Sequence, residues 1–251
     1  ASYPDYPYTP KKIDRGNGIQ LNYVDEGPED GAPVVMVHGN PSWSYYWRHL
    51  VLGLSDSYRC IVPDHIGMGW SDKPSDDQYE YTLQSRVDDL DTLINSLELK
   101  QKITLAVHDW GGMIGFAWAL KNPERIARLV ILNTASFPLP ASKRLPWQIA
   151  IGRWPLIGTV LIRGFNFFAR GAADLGVMRP IPPASRRALL SPYDSWNHRR
   201  AVHRFVQDIP LKPSDASWAL VKKAELQLPN YRNLPVFIGW GLQDFVFDQD
   251  F

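Results

Sequence analysis

Apolar and polar positions along the chain follow two periods. Val34-Val35-Met36-Val37 is a continuous apolar run, and Ile103 to Val107 and Leu129-Val130-Ile131-Leu132 resemble it. Short, branched runs of this kind predict strands buried on both faces of a sheet. Cys60-Ile61-Val62 and Val236-Phe237-Ile238 are shorter versions. Ile19-Gln20-Leu21-Asn22-Tyr23-Val24 alternates instead, which predicts an outer strand. Between these runs the helical period covers 43–54, 83–97 and 113–120. Strands and helices in alternation imply an α/β fold, a mostly parallel sheet flanked by helices.

The alternation stops after Asn133. From about Ala135 to Pro213 the chain is rich in Pro, Trp, Phe and Arg and contains no buried-strand run. This stretch is expected to be a helical cap, residues 135–213, inserted into a core made of 1–134 and 214–251. A helix near Ser217 to Leu226 precedes the last strand pattern. Eleven large apolar cap residues are expected either to line a tunnel for alkyl chains or simply to pack together. They are Trp147, Ile149, Ile151, Trp154, Leu156, Ile157, Leu161, Ile162, Phe165, Phe167 and Phe168. The most lipid-like segment, 147–168, is broken by Arg153, Pro155, Arg163 and three glycines, so no membrane span is expected.

Composition narrows the class. A chain of 251 residues with 45% apolar and 21% charged residues suits one large soluble domain. A net charge of +1 gives no electrostatic reason to expect nucleic acid as a partner. Cys60 is the single cysteine, so neither an intramolecular disulfide nor a multi-thiolate zinc site can form. That fits a reducing compartment, and a cytoplasmic location is expected. The stretch Ala1 to Pro7 shows no basic or apolar signal region, so no signal peptide is expected.

The chemistry concentrates at Val107-His108-Asp109-Trp110-Gly111-Gly112. An apolar run, a tight Gly-rich turn and a helical pattern make the layout of a nucleophile elbow, with aspartate at its tip. A carboxylate attacks carbon and forms an ester. Asp before a helix also suits an N-cap, but the glycine pair and the carboxyl end of a central strand favour a nucleophile. The N–H groups of the helix N-terminus are expected to keep Asp109 ionised. His38-Gly39-Asn40-Pro41 follows another predicted strand and can aim donors at a developing anion. Asn40 and Trp110 beside Asp109 suit a leaving group that takes negative charge. Asn40 also suits a turn before proline, and Trp110 a packed core aromatic.

His38 to Arg48, Pro63 to Pro74 and the elbow around Asp109 resemble the haloalkane dehalogenase family of α/β-hydrolases, and the similarity runs the whole length of the chain. Within it, the chain resembles a branch that includes the β-lactone decarboxylases of bacterial long-chain olefin biosynthesis. His65, Leu83 to Leu90 and Phe205 to Pro210 carry that finer likeness. The resemblance implies an α/β-hydrolase fold with the cap after the sixth strand. It makes Asp109 the nucleophile and Asn40 and Trp110 the groups that hold a halide or a lactone carboxylate. Asp244 becomes the acid partner of a catalytic histidine, preferred over Asp248 and Asp250 because it comes first after its strand. Family members that place the acid one strand earlier would do so near Asn133, which is not an acid. No metal and no organic cofactor is implied.

The family's histidine lies beyond Asp244, whereas the histidines here are His38, His49, His65, His108, His198 and His203. The base, and a C-terminal strand and helix, are therefore expected after Phe251. A chain without them is expected to expose a sheet edge and to be poorly stable or to associate, as in a homo-oligomer. β-Lactone decarboxylase is the leading expectation, giving a cis-alkene and carbon dioxide from a long-chain, apolar β-lactone. Haloalkane dehalogenase is the alternative. An epoxide hydrolase would use two cap tyrosines, and the cap offers only Tyr193. A non-catalytic binding protein on the same fold is the remaining class. Assembly with other olefin-pathway enzymes is implied by the resemblance alone.

Overall fold

The computed structural model describes residues 3–251; Ala1 and Ser2, part of the stretch read for a signal peptide, lie outside them. Seven strands form one sheet among these residues, in the order β1-β2-β4-β3-β5-β6-β7. They are β1 (Lys11–Asp14), β2 (Gln20–Glu26), β3 (Ala32–Val37), β4 (Tyr58–Pro63), β5 (Ile103–Asp109), β6 (Ile126–Thr134) and β7 (Val236–Gly239). β1 and β2 pair antiparallel, as do β2 and β4, and every other pairing is parallel. Helices α1 (Arg48–Leu54), α2 (Leu83–Ser96) and α3 (Trp110–Ala119) connect the strands as the periodicity predicts.

The continuous apolar runs are explained by burial on both faces. Val35, Val37, Leu105 and Val107 pack on one side with α2 and α3, beside Leu90, Leu93, Ile114 and Trp118. Their neighbours Val34, Met36 and Ala106 point the other way, into a cluster with Trp43, Tyr45 and Trp47. Each such side chain contributes roughly 1.5–3 kcal/mol of burial. One expectation needs correction. Ile19 to Val24 is not the outer strand, because Lys11–Asp14 pairs outside it. Its Lys-Lys-Ile-Asp sequence is mostly solvated and carries no apolar period, which is how edge strands resist further pairing.

Between β6 and β7 the chain forms α4 (Trp147–Ala150), α5 (Pro155–Thr159), α6 (Phe167–Leu175), α7 (Pro183–Leu190), α8 (Arg200–Gln207) and α9 (Trp218–Gln227). These helices are only four to ten residues long, and proline starts two of them, at Pro155 and Pro183. The insertion is tied down by Asp208, which accepts the N–H of Leu83 at 2.7 Å and pairs with the buried Arg86 at 3.3 Å. The Arg86 guanidinium lies over the Phe205 ring, 3.6 Å from its centre, and faces Trp110 at 5.8 Å. Leu83 to Leu90 and Phe205 to Pro210, two of the three features that carry the finer resemblance, therefore meet. No described helix is long and apolar enough to cross a membrane.

Candidate active site

Asp109 ends β5 and starts the turn into α3 with φ +52° and ψ −129°. A non-glycine residue there costs about 1–3 kcal/mol and persists only where its surroundings hold it. They do so closely. The Thr134 hydroxyl donates to the Asp109 carbonyl, and the Asn40 backbone N–H donates to Oδ1 at 2.6 Å. A Cβ on Gly39 would stand 2.0 Å from Oδ1 of Asp109, and one on Gly111 2.0 Å from the Val37 carbonyl. A Cβ on Gly112 would meet the Thr134 hydroxyl at 2.0 Å. Asp109 occupies the N-cap position of α3, but its side chain makes no capping hydrogen bond there.

The N–H groups at the helix N-terminus do favour ionised Asp109, but burial opposes them. Burial of the carboxyl group dominates and pushes its pKa up to about 7, with the Asp244 charge adding to the rise. The backbone N–H groups of Trp110 and Asn40 pull it down without winning, because two such bonds do not replace a full hydration shell.

Asn40 stands beside Asp109 on the same cavity wall. Its Nδ2 donates to the Val202 carbonyl at 3.1 Å, and its buried Oδ1 has no partner among the described residues. Trp110 lines a second cavity with Asn40 and Asp109, and its ring packs edge-on to Phe205 at 5.2 Å. Asp244 lines the first cavity with Asp109. Its Oδ1 accepts the N–H groups of Val246 and Phe247 at 2.8 and 3.0 Å, which fixes the loop. The four candidate residues thus line two cavities that share Asn40 and Asp109, Asp244 in the larger and Trp110 in the smaller.

Sequence reasoning missed what holds that loop. Asn133, next to last in β6, has φ +23° and accepts the Gly241 N–H at 2.7 Å. Its amide donates to the carbonyls of Gly241 and Phe247, both at 3.1 Å. The available signal was an Asn-Thr pair at the carboxyl end of the strand next to the elbow. Tyr46 was missed as well; it lines the cavity and stacks on His108 at 4.4 Å.

The histidines have separate duties. His38 Nδ1 bonds the Gly39 carbonyl at 2.8 Å, and Nε2 accepts the His65 N–H at 3.2 Å, so both ring nitrogens are engaged. His65 Nε2 donates to the His38 carbonyl at 2.8 Å. Asp64, its neighbour, accepts the N–H groups of Ser44 and Trp70 and the Asn22 amide. Together they knit three loops, and no group of three metal-ligating side chains exists among the described residues. His108 lines the cavity, its Nδ1 without a partner among the described residues, and burial pushes its pKa down to about 4. The Tyr193 hydroxyl, the one considered for an epoxide, donates to the Ser42 carbonyl at 3.0 Å.

Of the eleven large apolar residues of the insertion, three face the larger cavity. Ile149, Phe167 and Phe168 line the cavity. Trp147, Trp154, Leu156, Ile157 and Phe165 are exposed, Leu156 by 82%. Ile162 lies in the core, and Ile151 and Leu161 are half-buried. A short helix buries one side and leaves the other to solvent, as α5 does with Gly158 buried and Leu156 and Ile157 exposed.

A family model described as the alpha/beta hydrolase fold matches residues 32–250. The chain belongs to that family. It is 58% identical over 255 residues to a cis-3-alkyl-4-alkyloxetan-2-one decarboxylase of Xanthomonas campestris pv. campestris, spanning all of this chain and 85% of the relative. A protein of the same name from Shewanella oneidensis is 56% identical over 94% of this chain and 74% of its own length. Among solved structures, the haloalkane dehalogenase DatA of Agrobacterium tumefaciens C58 superposes with a TM-score of 0.80 at 27% identity. It covers 92% of this chain and 78% of its own.

Proposed function

We propose that the chain is a β-lactone decarboxylase that converts cis-3,4-dialkyl oxetan-2-ones into cis-alkenes and carbon dioxide. The observation that carries this reading is the identity of 58% along the whole chain to a decarboxylase named for that substrate. The geometry supports it: a buried carboxylate on a strained elbow opens into walls made mostly of aliphatic and aromatic side chains.

Ionised Asp109 attacks C4 of the lactone from the side opposite the ring oxygen. The C4–O bond breaks, an Asp109–C4 ester forms, and the ring opens to a carboxylate on C3. Asn40 and Trp110 hold that carboxylate. The C3–carboxyl bond then breaks, its electron pair becomes the C3–C4 π bond, and the Asp109 carboxylate leaves C4. Inversion at C4 followed by anti elimination keeps the alkyl groups cis. The cycle consumes no water and returns Asp109 without hydrolysis of the ester, unlike a dehalogenase cycle. Asp244 is assigned as the acid that would orient a histidine, a role the decarboxylase cycle does not require for turnover.

The reading also divides the chain into a core of 1–134 and 214–251 and a cap of 135–213. It includes a cytoplasmic location and assembly with enzymes of the same pathway, for which the exposed Leu156 and Phe165 offer surface. Haloalkane dehalogenase is the second reading, supported by the likeness to DatA. Incubation with a cis-dialkyl oxetan-2-one and, separately, with 1-bromobutane distinguishes them. Alkene and carbon dioxide in equal amounts, without bromide release, is the expected result. Bromide release without alkene would replace the first reading by the second.

A further inference from the structure

Two cavities reach Asp109, and they are not the same size. One, of about 290 Å³, runs between Phe167, Ala172, Leu175, Val177, Ile181 and Leu190. The other, of about 70 Å³, lies between Trp110, Met113, Leu139, Leu145, Val206 and Ile209. Asn40 and Asp109 line both. So do Ile149, Phe168, Val246 and Phe247. Apart from Asn40, Asp109 and the Trp110 indole, the smaller chamber is lined by apolar side chains.

A substrate with one chain on its reacting carbon fills one such chamber and leaves the other empty. A 3,4-dialkyl lactone carries arms on two adjacent carbons, which diverge from the bond that breaks. We infer that the substrate's two alkyl arms lie in separate chambers, with the lactone ring at their junction against Asp109 and Asn40. This rests on the decarboxylase reading. The chambers then set two independent length limits, one tighter than the other. Apolar walls discriminate alkyl length by methylene steps, because a group that does not fit forfeits its burial or forces the wall to move.

The test needs no variant to begin. Two series of cis-dialkyl oxetan-2-ones are supplied to the purified protein, one lengthening the arm on C3, the other the arm on C4, each with the second arm held short and then long. Alkene formation is followed by gas chromatography. Two chambers give a cut-off for each arm that does not depend on the other, with kcat/KM falling roughly tenfold or more per methylene beyond it. A cut-off set by the total number of carbons overturns the inference. Ala172→Phe, in the larger chamber, and Ile209→Trp, in the smaller, should then shorten the limit for opposite arms. Shortening the same arm overturns it. The failure of the underlying reading looks different: no alkene from any lactone, with bromide released from 1-bromobutane.

Discussion

The carboxyl edge of the sheet and the helical insertion enclose the same cavity but are built on different terms. At the sheet edge, each group is fixed several times over. Asp109 sits among three glycines whose Cβ positions are already occupied, with hydrogen bonds to its carbonyl and its carboxylate. In the insertion, short helices place some large apolar residues on the cavity and others in solvent. Reacting groups need positions held to a fraction of an ångström, whereas an alkyl chain needs only a wall of suitable shape. Substitutions at the sheet edge should therefore change rates steeply, and those in the insertion should change preference or little at all.

The largest effect tests whether Asp109 carries the chemistry. Asp109→Asn removes the nucleophile and is expected to lower kcat by about 10⁴-fold or more, measured as alkene formed per enzyme. In the parent, kcat/KM should rise about tenfold per pH unit below about 7 and level off above it, because only ionised Asp109 attacks. The same variant should be more stable than the parent. An unfolded Asp ionises near 3.9. The folded chain holds this proton up to about pH 7, so stability attributable to Asp109 is full below about pH 4 and falls as pH rises towards 7. Asp109→Asn escapes that loss. Its advantage in urea unfolding should reach a few kcal/mol above pH 7, at about 1.4 kcal/mol per unit, and vanish below about pH 4. Equal stability of the two proteins at pH 8 would show that the carboxylate is not buried at this cost.

Two substitutions probe the neighbouring supports. Asn40→Ala removes the proposed leaving-group donor and is expected to cost about 10²-fold, mainly in kcat. A change confined to KM would place Asn40 in ground-state binding instead. Asn133→Ala deletes three hydrogen bonds that hold Gly241 and Phe247. The expected loss is about 1–3 kcal/mol in denaturant unfolding, with faster hydrogen exchange at the Gly241 amide. Unchanged exchange there would show that the Asp244 loop is held by other contacts.

The same contrast explains what was legible in the sequence. Val34 to Val37 and Ile103 to Val107 are buried on both faces, so uninterrupted apolar runs announced them. The elbow was visible because its strain demands small neighbours, and Gly111 and Gly112 are local in sequence. Lys11–Asp14 was missed because an edge strand is stabilised by backbone pairing that leaves no apolar pattern. The rise in the Asp109 pKa was not legible because the helix N-terminus is local, whereas the burial that opposes it is assembled from distant segments. Asn133 acts across about a hundred residues, and no spacing rule reports such a contact. In the insertion, composition gave the apolar content but not which side each residue faces.

The smallest effect is the sharpest check on the insertion. Leu156 is 82% exposed and lines neither chamber at Asp109. It follows Pro155 at the start of a helix only five residues long, where a polar side chain meets no buried neighbour. Leu156→Ser removes little buried apolar surface, so stability should change by less than about 0.5 kcal/mol. The alkene rate and both chain-length limits should stay at parent values. If Leu156 instead closes over bound substrate, the long-arm lactones alone should slow, and the short-arm ones should not. That pattern would move the cavity wall outward to α5 and weaken the contrast between a fixed sheet edge and a two-faced insertion. A loss equal for all substrates would point to the fold, and urea unfolding of the variant would show it directly.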